Sequence, residues 1–261
     1  MSAPAAQAIR VVWLYPELMN VYADRGNVIA LRARCAARDI VCEVERVELG
    51  TRLPEQADLV LIGGGQDREQ RRAAPDLQRH APLLLEWAAE QVAFLAVCGG
   101  FQLFGTGYRT ARGEELPGVG LFDATTVAPP PGAERCVGDV LAMCELPAVG
   151  EVVGFENHGG RTYLGPGGRP FARVRYGRGN NGADGTEGAV AGEAIGTYLH
   201  GSLLPRHPQL SDRLIGAALR HHYGPGEDLP VLPVLAEDGF AARAHRAAAG
   251  VARRRGRPAA V

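Results

Sequence analysis

The stretch AFLAVCGGFQLFG, residues 93–105, decides the fold. An apolar run ends at one cysteine, two glycines follow, and a short helical segment begins at Gly99. This is a buried strand that turns sharply into a helix N-terminus and lifts one side chain above the sheet. Such a turn crowds its neighbours, so the positions two before and two after the cysteine need small residues. They are Ala96 and Gly100. The amides and positive dipole end of the helix point at the sulfur and favour the thiolate. Cys98 is therefore the candidate nucleophile. The bland alternative is a core cysteine that happens to precede a Gly-Gly turn.

Outward from this element, the first half alternates strand and helix. Ile9 to Tyr15, Ile40 to Leu49, Asp58 to Ile62 and Val92 to Val97 read as strands, the second of them at an edge. Helices are expected at Asn27 to Arg38, Pro75 to Glu90 and Gly99 to Phe104. Strands separated by helices imply right-handed crossovers, and the predicted fold class is α/β, with a mostly parallel sheet flanked by helices. The second half predicts short strands at Gly118 to Val127, Cys136 to Cys144 and Glu151 to Glu156. A glycine-rich loop at Arg161 to Gly185 surrounds one strand near Phe171 to Tyr176. A last buried strand, Ala194 to Leu199, precedes a helix at Leu210 to His222. The expected division is a domain over residues 1–225 and an extension over 226–261. From Phe240 onward the extension carries six arginines and no acid. It reads as a solvated, frayed helix or as an arm for an acidic partner.

Composition narrows the chemistry. The chain has 261 residues, 46% hydrophobic and 22% charged, an ordinary globular balance. Twenty-eight basic residues against twenty-nine acidic ones give a net charge of −1, which argues against a nucleic-acid partner held by a chain-wide positive field. All the basic residues are arginine. That excludes a Schiff-base lysine, a Ser-Lys pair and a phosphate-binding loop ending in Lys, so any ATP chemistry belongs to another chain. Five cysteines form an odd set without C-x-x-C or zinc-ligand spacing, so no metal site and no disulfide framework are expected. The opening MSAPAAQAIRVVWLY lacks the pattern of a signal peptide, and no apolar stretch approaches the roughly 20 residues that span a bilayer. A cytoplasmic protein without membrane insertion is the expectation.

A nucleophilic cysteine needs a base. Of the seven histidines, His200 alone ends a buried strand, in AIGTYLHGSLLP. Functional groups of parallel sheets gather just outside the carboxyl ends of strands, so His200 and Cys98 are expected at one crevice. His158, in GFENHGG, is a loop histidine within possible reach. Cysteine with histidine gives acyl transfer: thiolate attack, a tetrahedral oxyanion and a thioester that water hydrolyses. The oxyanion needs preorganised N–H donors, and Gly64, Gly65 and Gly99 are the candidates.

At these residues the sequence resembles a class I, triad-type glutamine amidotransferase. The elbow VCGGFQ and the histidine of GTYLHG resemble the cobyric-acid-synthase-like branch. DRGNVIALR (24–32), GGGQDREQ (63–70), RCVGDV (135–140) and GFENHGGRTYLG, which runs to Gly165, extend the likeness to the glutaminase subunits of lipid II isoglutaminyl synthases. The resemblance covers about Ile9 to Tyr223. It implies a flavodoxin-like three-layer fold without a cofactor. It also implies Cys98 as nucleophile, His200 as base and acid, and Arg135 and Gln102 as ligands of L-glutamine. An arginine fork suits the substrate's carboxylate. The family further implies an ATP-dependent partner resembling a Mur ligase, in a heterodimer, which uses the ammonia to amidate the D-glutamate of lipid II in peptidoglycan synthesis. Any contact with the membrane's inner face would come through that partner's lipid-linked substrate. Many triad amidotransferases carry an acid two positions after the histidine, where this chain has Ser202. The third member stays open, with Glu156, Glu187 and Glu193 as unranked candidates. Asp24 to Asn27 is a distinctive charged loop that either meets the partner or turns the chain. Competing readings are an amidotransferase for another acceptor of the cobyric or cobyrinic acid type, another acyl-transfer hydrolase such as a peptidase, and a non-catalytic scaffold of the same fold.

Overall fold

The computed structural model describes residues 7–224 and 232–258. The expected domain boundary at 225/226 lies outside the described residues.

The first half builds the main sheet. β1 (Ala8–Leu14) pairs in parallel with both β2 (Val41–Val47) and β3 (Leu59–Ile62), and β3 pairs in parallel with β4 (Ala93–Val97). α1 (Arg25–Ala36), α2 (Asp67–Ala89) and α3 (Gly99–Phe104) are the intervening helices. Every residue of β3 and of β4 is buried, as a parallel strand covered by helices on both faces requires. β2, in contrast, alternates charged and apolar residues at the sheet edge.

The second half supplies β5 (Gly107–Arg109), β6 (Glu115–Pro117), β7 (Ala124–Val127), β8 (Cys136–Cys144), β9 (Glu151–His158), β10 (Arg161–Leu164), β11 (Ala172–Tyr176), β12 (Thr186–Glu187), β13 (Ala189–Ala191) and β14 (Ala194–Thr197). β14 returns to the main sheet in parallel beside β4, and β13 lies antiparallel outside it. The main sheet order is therefore β13-β14-β4-β3-β1-β2. The other strands form two four-stranded sheets, β10-β7-β5-β6 and β12-β11-β8-β9. The parallel expectation holds for the main sheet, and the additional sheets are largely antiparallel. α4 (Leu203–Arg206) and α5 (Pro208–Tyr223) follow, with α5 packed beside α1 on β1, β3 and β4.

Four expectations are corrected. α2 starts at Asp67, eight residues before Pro75, because its first turns are anchored: Gln70, Ala73 and Ala74 are buried, and Asp67 and Glu69 complement the helix N-terminus. The span from Gly118 becomes a strand only at Ala124, and Arg161–Leu164 forms a strand where loop was expected, because its partner is the distant β7. The arginine-rich segment is a largely exposed helix, as one of its two readings had it, but through its described residues it is docked rather than frayed: in α6 (Asp238–Arg255), Ala249 and Ala252 bury against Leu141 of β8 and Val153 of β9. Arg34 of α1 clamps it through Asp238 and ties α5 through Asp212 at 2.7 Å.

Candidate active site

Cys98 sits at the carboxyl end of β4 with φ 51° and ψ −106°, a conformation that costs an L-residue about 1–3 kcal/mol. Packing enforces it. A β-carbon at Gly100 would come 2.7 Å from Ile62 and 2.9 Å from the Gly63 carbonyl, so the helix can leave the strand at this angle only on glycine. Because Cys98 precedes the first turn of α3, the Gly99 amide has no carbonyl four residues back to serve.

His200 follows β14, the neighbour of β4, and is fully buried. Its backbone bridges to Phe155 in both directions, with His200 N–H donating at 2.8 Å and Phe155 N–H at 3.2 Å, which fixes the middle of β9 beside it. Gly64 lies between the two functional side chains. A β-carbon there would stand 2.7 Å from His200 Cε1 and 3.4 Å from Cys98 Cβ, so the glycine is what lets them approach. Among the described residues His200 Nε2 has no partner of hydrogen-bond geometry.

The third residue is one that sequence reasoning left without a role. Asp24 Oδ1 lies 3.2 Å from His200 Nδ1, and Asp24 is itself buried. None of the three glutamates meets His200. Glu156 accepts the amides of Arg178 and Gly179, Glu187 accepts from Thr197 and Tyr198, and Glu193 pairs with Arg213 and Arg220. Burial pulls the His200 imidazole down, but its contacts with Asp24 and the Cys98 thiol outweigh that and push it up to about 10. Asp24 could have been found by topology, since the loop after β1 opens at the same carboxyl edge of the sheet as Cys98 and His200.

Asp24 also corrects the set of oxyanion donors. The Gly64 amide donates to Asp24 Oδ2 at 2.7 Å and is not available to a substrate oxygen. Gly65 and Gly99 remain, and they are adjacent: a β-carbon on Gly99 would lie 2.8 Å from the Gly65 nitrogen.

In front of Cys98 opens a cleft of about 710 Å³, lined among others by Tyr22, Gly65, Gln102, Arg135, Asn157 and His158. Arg135 stands exposed at its rim, its guanidinium donating to Asn157 Oδ1 from Nε at 3.1 Å and from Nη2 at 3.0 Å. Gln102 reaches the cleft wall with both ends of its amide engaged. Nε2 donates to the Tyr198 hydroxyl at 3.0 Å and Oε1 accepts from Gln70 at 2.9 Å. The expected substrate ligand is thus held in a buried polar chain that continues through Thr162 to Thr126. His158 does line the cleft, stacked on Tyr198 at 3.6 Å with Nδ1 donating to the Gly160 carbonyl. Among the described residues no group of His, Cys, Asp and Glu forms a metal site.

The CobB/CobQ-like glutamine amidotransferase domain matches residues 10–208. The chain belongs to this family. It is accordingly an amidotransferase subunit that uses glutamine. Among its relatives, the lipid II isoglutaminyl synthase (glutamine-hydrolyzing) subunit GatD of Staphylococcus aureus strain N315 is 39% identical over 77% of this chain and 80% of that one. The GatD subunit of Streptococcus pneumoniae is 34% identical over 85% of each chain. A cobyric acid synthase of Pelotomaculum thermopropionicum is 34% identical over 55% of this chain and 29% of that one. Among solved structures, PurLQS from Thermotoga maritima superposes with a TM-score of 0.56 at 16% identity, over 82% of this chain and 99% of that one, a likeness of fold alone.

Proposed function

We propose that this amidotransferase hydrolyses L-glutamine at Cys98 and passes the ammonia to an ATP-dependent, Mur-ligase-like partner that amidates the D-glutamate of lipid II. The observation that carries the chemistry is the convergence of Cys98, His200 and Asp24 around Gly64. The Cys98 thiolate attacks the side-chain carbonyl carbon of glutamine, and the oxygen takes up the charge beside the Gly65 and Gly99 amides. The His200 imidazolium gives its proton to the departing nitrogen, and ammonia leaves behind a thioester. Neutral His200 then draws a proton from water, which attacks the thioester, and glutamate departs as the thiol is restored. Asp24 holds the ring in the orientation both steps need.

The choice of acceptor rests on the relatives. The GatD subunits match this chain along most of their own length, whereas the cobyric acid synthase shares less than a third of its length. The absence of lysine from the chain agrees with ATP being handled by the partner. Among the described residues no helix is long and apolar enough to cross a membrane. The test is glutamate release from L-glutamine by the chain with and without a Mur-ligase-like partner, followed by amidation of lipid II. Release abolished by Cys98→Ala, with ammonia-dependent amidation retained, is the expected result. Release without amidation of lipid II would return the acceptor to the cobyric or cobyrinic acid class.

A further inference from the structure

One exposed aromatic residue at the site has no place in the chemistry above. Tyr22 precedes Asp24 by two positions in the loop between β1 and α1. It holds φ 57° and ψ 33°, a left-handed backbone that bulky residues rarely adopt. Its ring stands edge-on to the His200 imidazole, 4.9 Å between centroids, and edge-on to Phe155 at 5.9 Å. Its hydroxyl accepts from Asn157 Nδ2. The oxygen of the same Asn157 side chain accepts from Nε and Nη2 of Arg135, one edge of its guanidinium. Arg135, Asn157, Tyr22 and His200 thus form one contact chain along the cleft, and its first member is the guanidinium suited to a carboxylate.

We propose that Tyr22 is a positioning residue that couples occupation of the Arg135 fork by the substrate's carboxylate to the placement of the His200 ring. The inference rests on the glutaminase reading and deepens it. In this coupling the carboxylate takes the Nε–Nη2 edge of the fork, which Asn157 Oδ1 holds, and so displaces Asn157 from it. Asn157 in turn carries the Tyr22 hydroxyl, and the ring that moves with it is the one packed on His200. An empty fork and an occupied fork therefore give His200 different neighbours.

The test is a double-mutant cycle of Tyr22→Phe and Asn157→Ala, read as steady-state glutamate release and as calorimetric binding of L-glutamate, which carries the same α-carboxylate. Tyr22→Phe keeps the ring on His200 and releases Asn157. It is expected to lower the glutamine KM and the glutamate Kd several-fold, because Asn157 then yields the fork more readily, and to lower kcat less than Tyr22→Ala does, because the ring stays on His200. In the Asn157→Ala background the same change should have no further effect, because the link is already cut. Tyr22→Ala also removes the ring and should cut kcat at least tenfold, with Tyr22→Phe as the rescuing variant. Additive effects in the cycle, or a Tyr22→Phe protein that matches wild type in KM and Kd, would overturn the coupling. A wild-type chain that releases no glutamate either alone or with its partner overturns the glutaminase reading instead, and the calorimetric cycle still judges Tyr22. Glutamate binding that is undetectable, or indifferent to Arg135→Ala, defeats the inference too.

Discussion

Asp24 Oδ1 lies 3.2 Å from His200 Nδ1, while Asp24 Oδ2 accepts the Gly64 amide at 2.7 Å. One buried carboxylate therefore holds the His200 ring and braces the glycine loop beside it. The two residues are brought together by strand order, since the loops after β1 and β14 open at the same edge of the sheet. In the proposed mechanism, binding His200 at Nδ1 leaves Nε2 for the reacting centre and favours the imidazolium that donates to departing ammonia.

Asp24→Asn is expected to keep the fold and lower kcat for glutamate release roughly 10²–10⁴-fold, the scale seen when the orienting acid of a triad is neutralised. Asp24 is one of the contacts that lift His200 to about 10, so its loss must lower that value. Wild-type activity should fall as pH rises through about 10, when the proton donor is lost. In Asp24→Asn the fall should begin at lower pH. Rates measured from neutral pH upward read this directly, and an unmoved alkaline limb would remove Asp24 from the mechanism.

Gly64→Ala puts a methyl group 2.7 Å from His200 Cε1. The ring has little room to retreat, since Tyr22 packs edge-on against it. Overpacking of this kind costs about 1–3 kcal/mol. The expected protein unfolds at moderately lower denaturant concentration and has lost more than tenfold in kcat, with far-ultraviolet circular dichroism unchanged. Full activity in the variant would show that His200 and Cys98 need not approach across this glycine.

Arg135→Ala tests recognition separately from chemistry. Arg135 is exposed, so its loss should leave folding intact while removing a charge-assisted contact of roughly 1.5–3 kcal/mol. The glutamine KM should rise by tenfold or more, with ammonia-dependent amidation by the complex unaffected. If kcat falls and KM stays put, the arginine serves the reaction centre rather than the carboxylate.

Much of this site is legible in local sequence, because a strand that ends on Cys-Gly-Gly and a strand that ends on histidine carry their own punctuation. The elbow needs glycine at Gly100 for a reason that is steric and close at hand. Asp24 is different: its contact is with a residue 176 positions away, and only the placement of its loop at the carboxyl edge of the sheet, not its neighbours in sequence, points to it. Gly64 misleads for the same reason, since a glycine amide after a strand reads as a free donor until Asp24 is placed against it. In the fold, β4 and α3 declare themselves by apolar runs, whereas β10 is a four-residue strand whose strand partner, β7, lies far back in the chain. The arginine-rich segment reads as solvated because its buried contacts are small alanines, Ala249 and Ala252, which leave no strong apolar stripe.

At the opposite end of the sheet, Asp58 makes a stability prediction independent of catalysis. It precedes β3, is fully buried, and accepts from the Arg10 amide at 2.7 Å, from the Arg10 guanidinium at 3.2 Å, and from Nδ1 of His221 and of His222 at 2.9 Å each. Burial alone would raise this carboxyl, but Arg10, His221 and His222 outweigh it and hold it below the usual carboxylate range. A depressed folded value stabilises fully above the unfolded value of about 3.9, and the contribution fades as pH falls through the folded value. Asp58→Asn leaves Arg10 without its counter-charge. Because Arg10 is 31% exposed, the expected cost at neutral pH is about 2–3 kcal/mol, below that of a fully buried pair. Urea unfolding of both proteins near neutrality and well below about pH 4 should show the gap shrinking in acid, since protonation then removes the same charge from wild type. A gap that holds constant or widens in acid would mean that the Asp58 charge is not what holds β1 and α5 together at this end of the sheet.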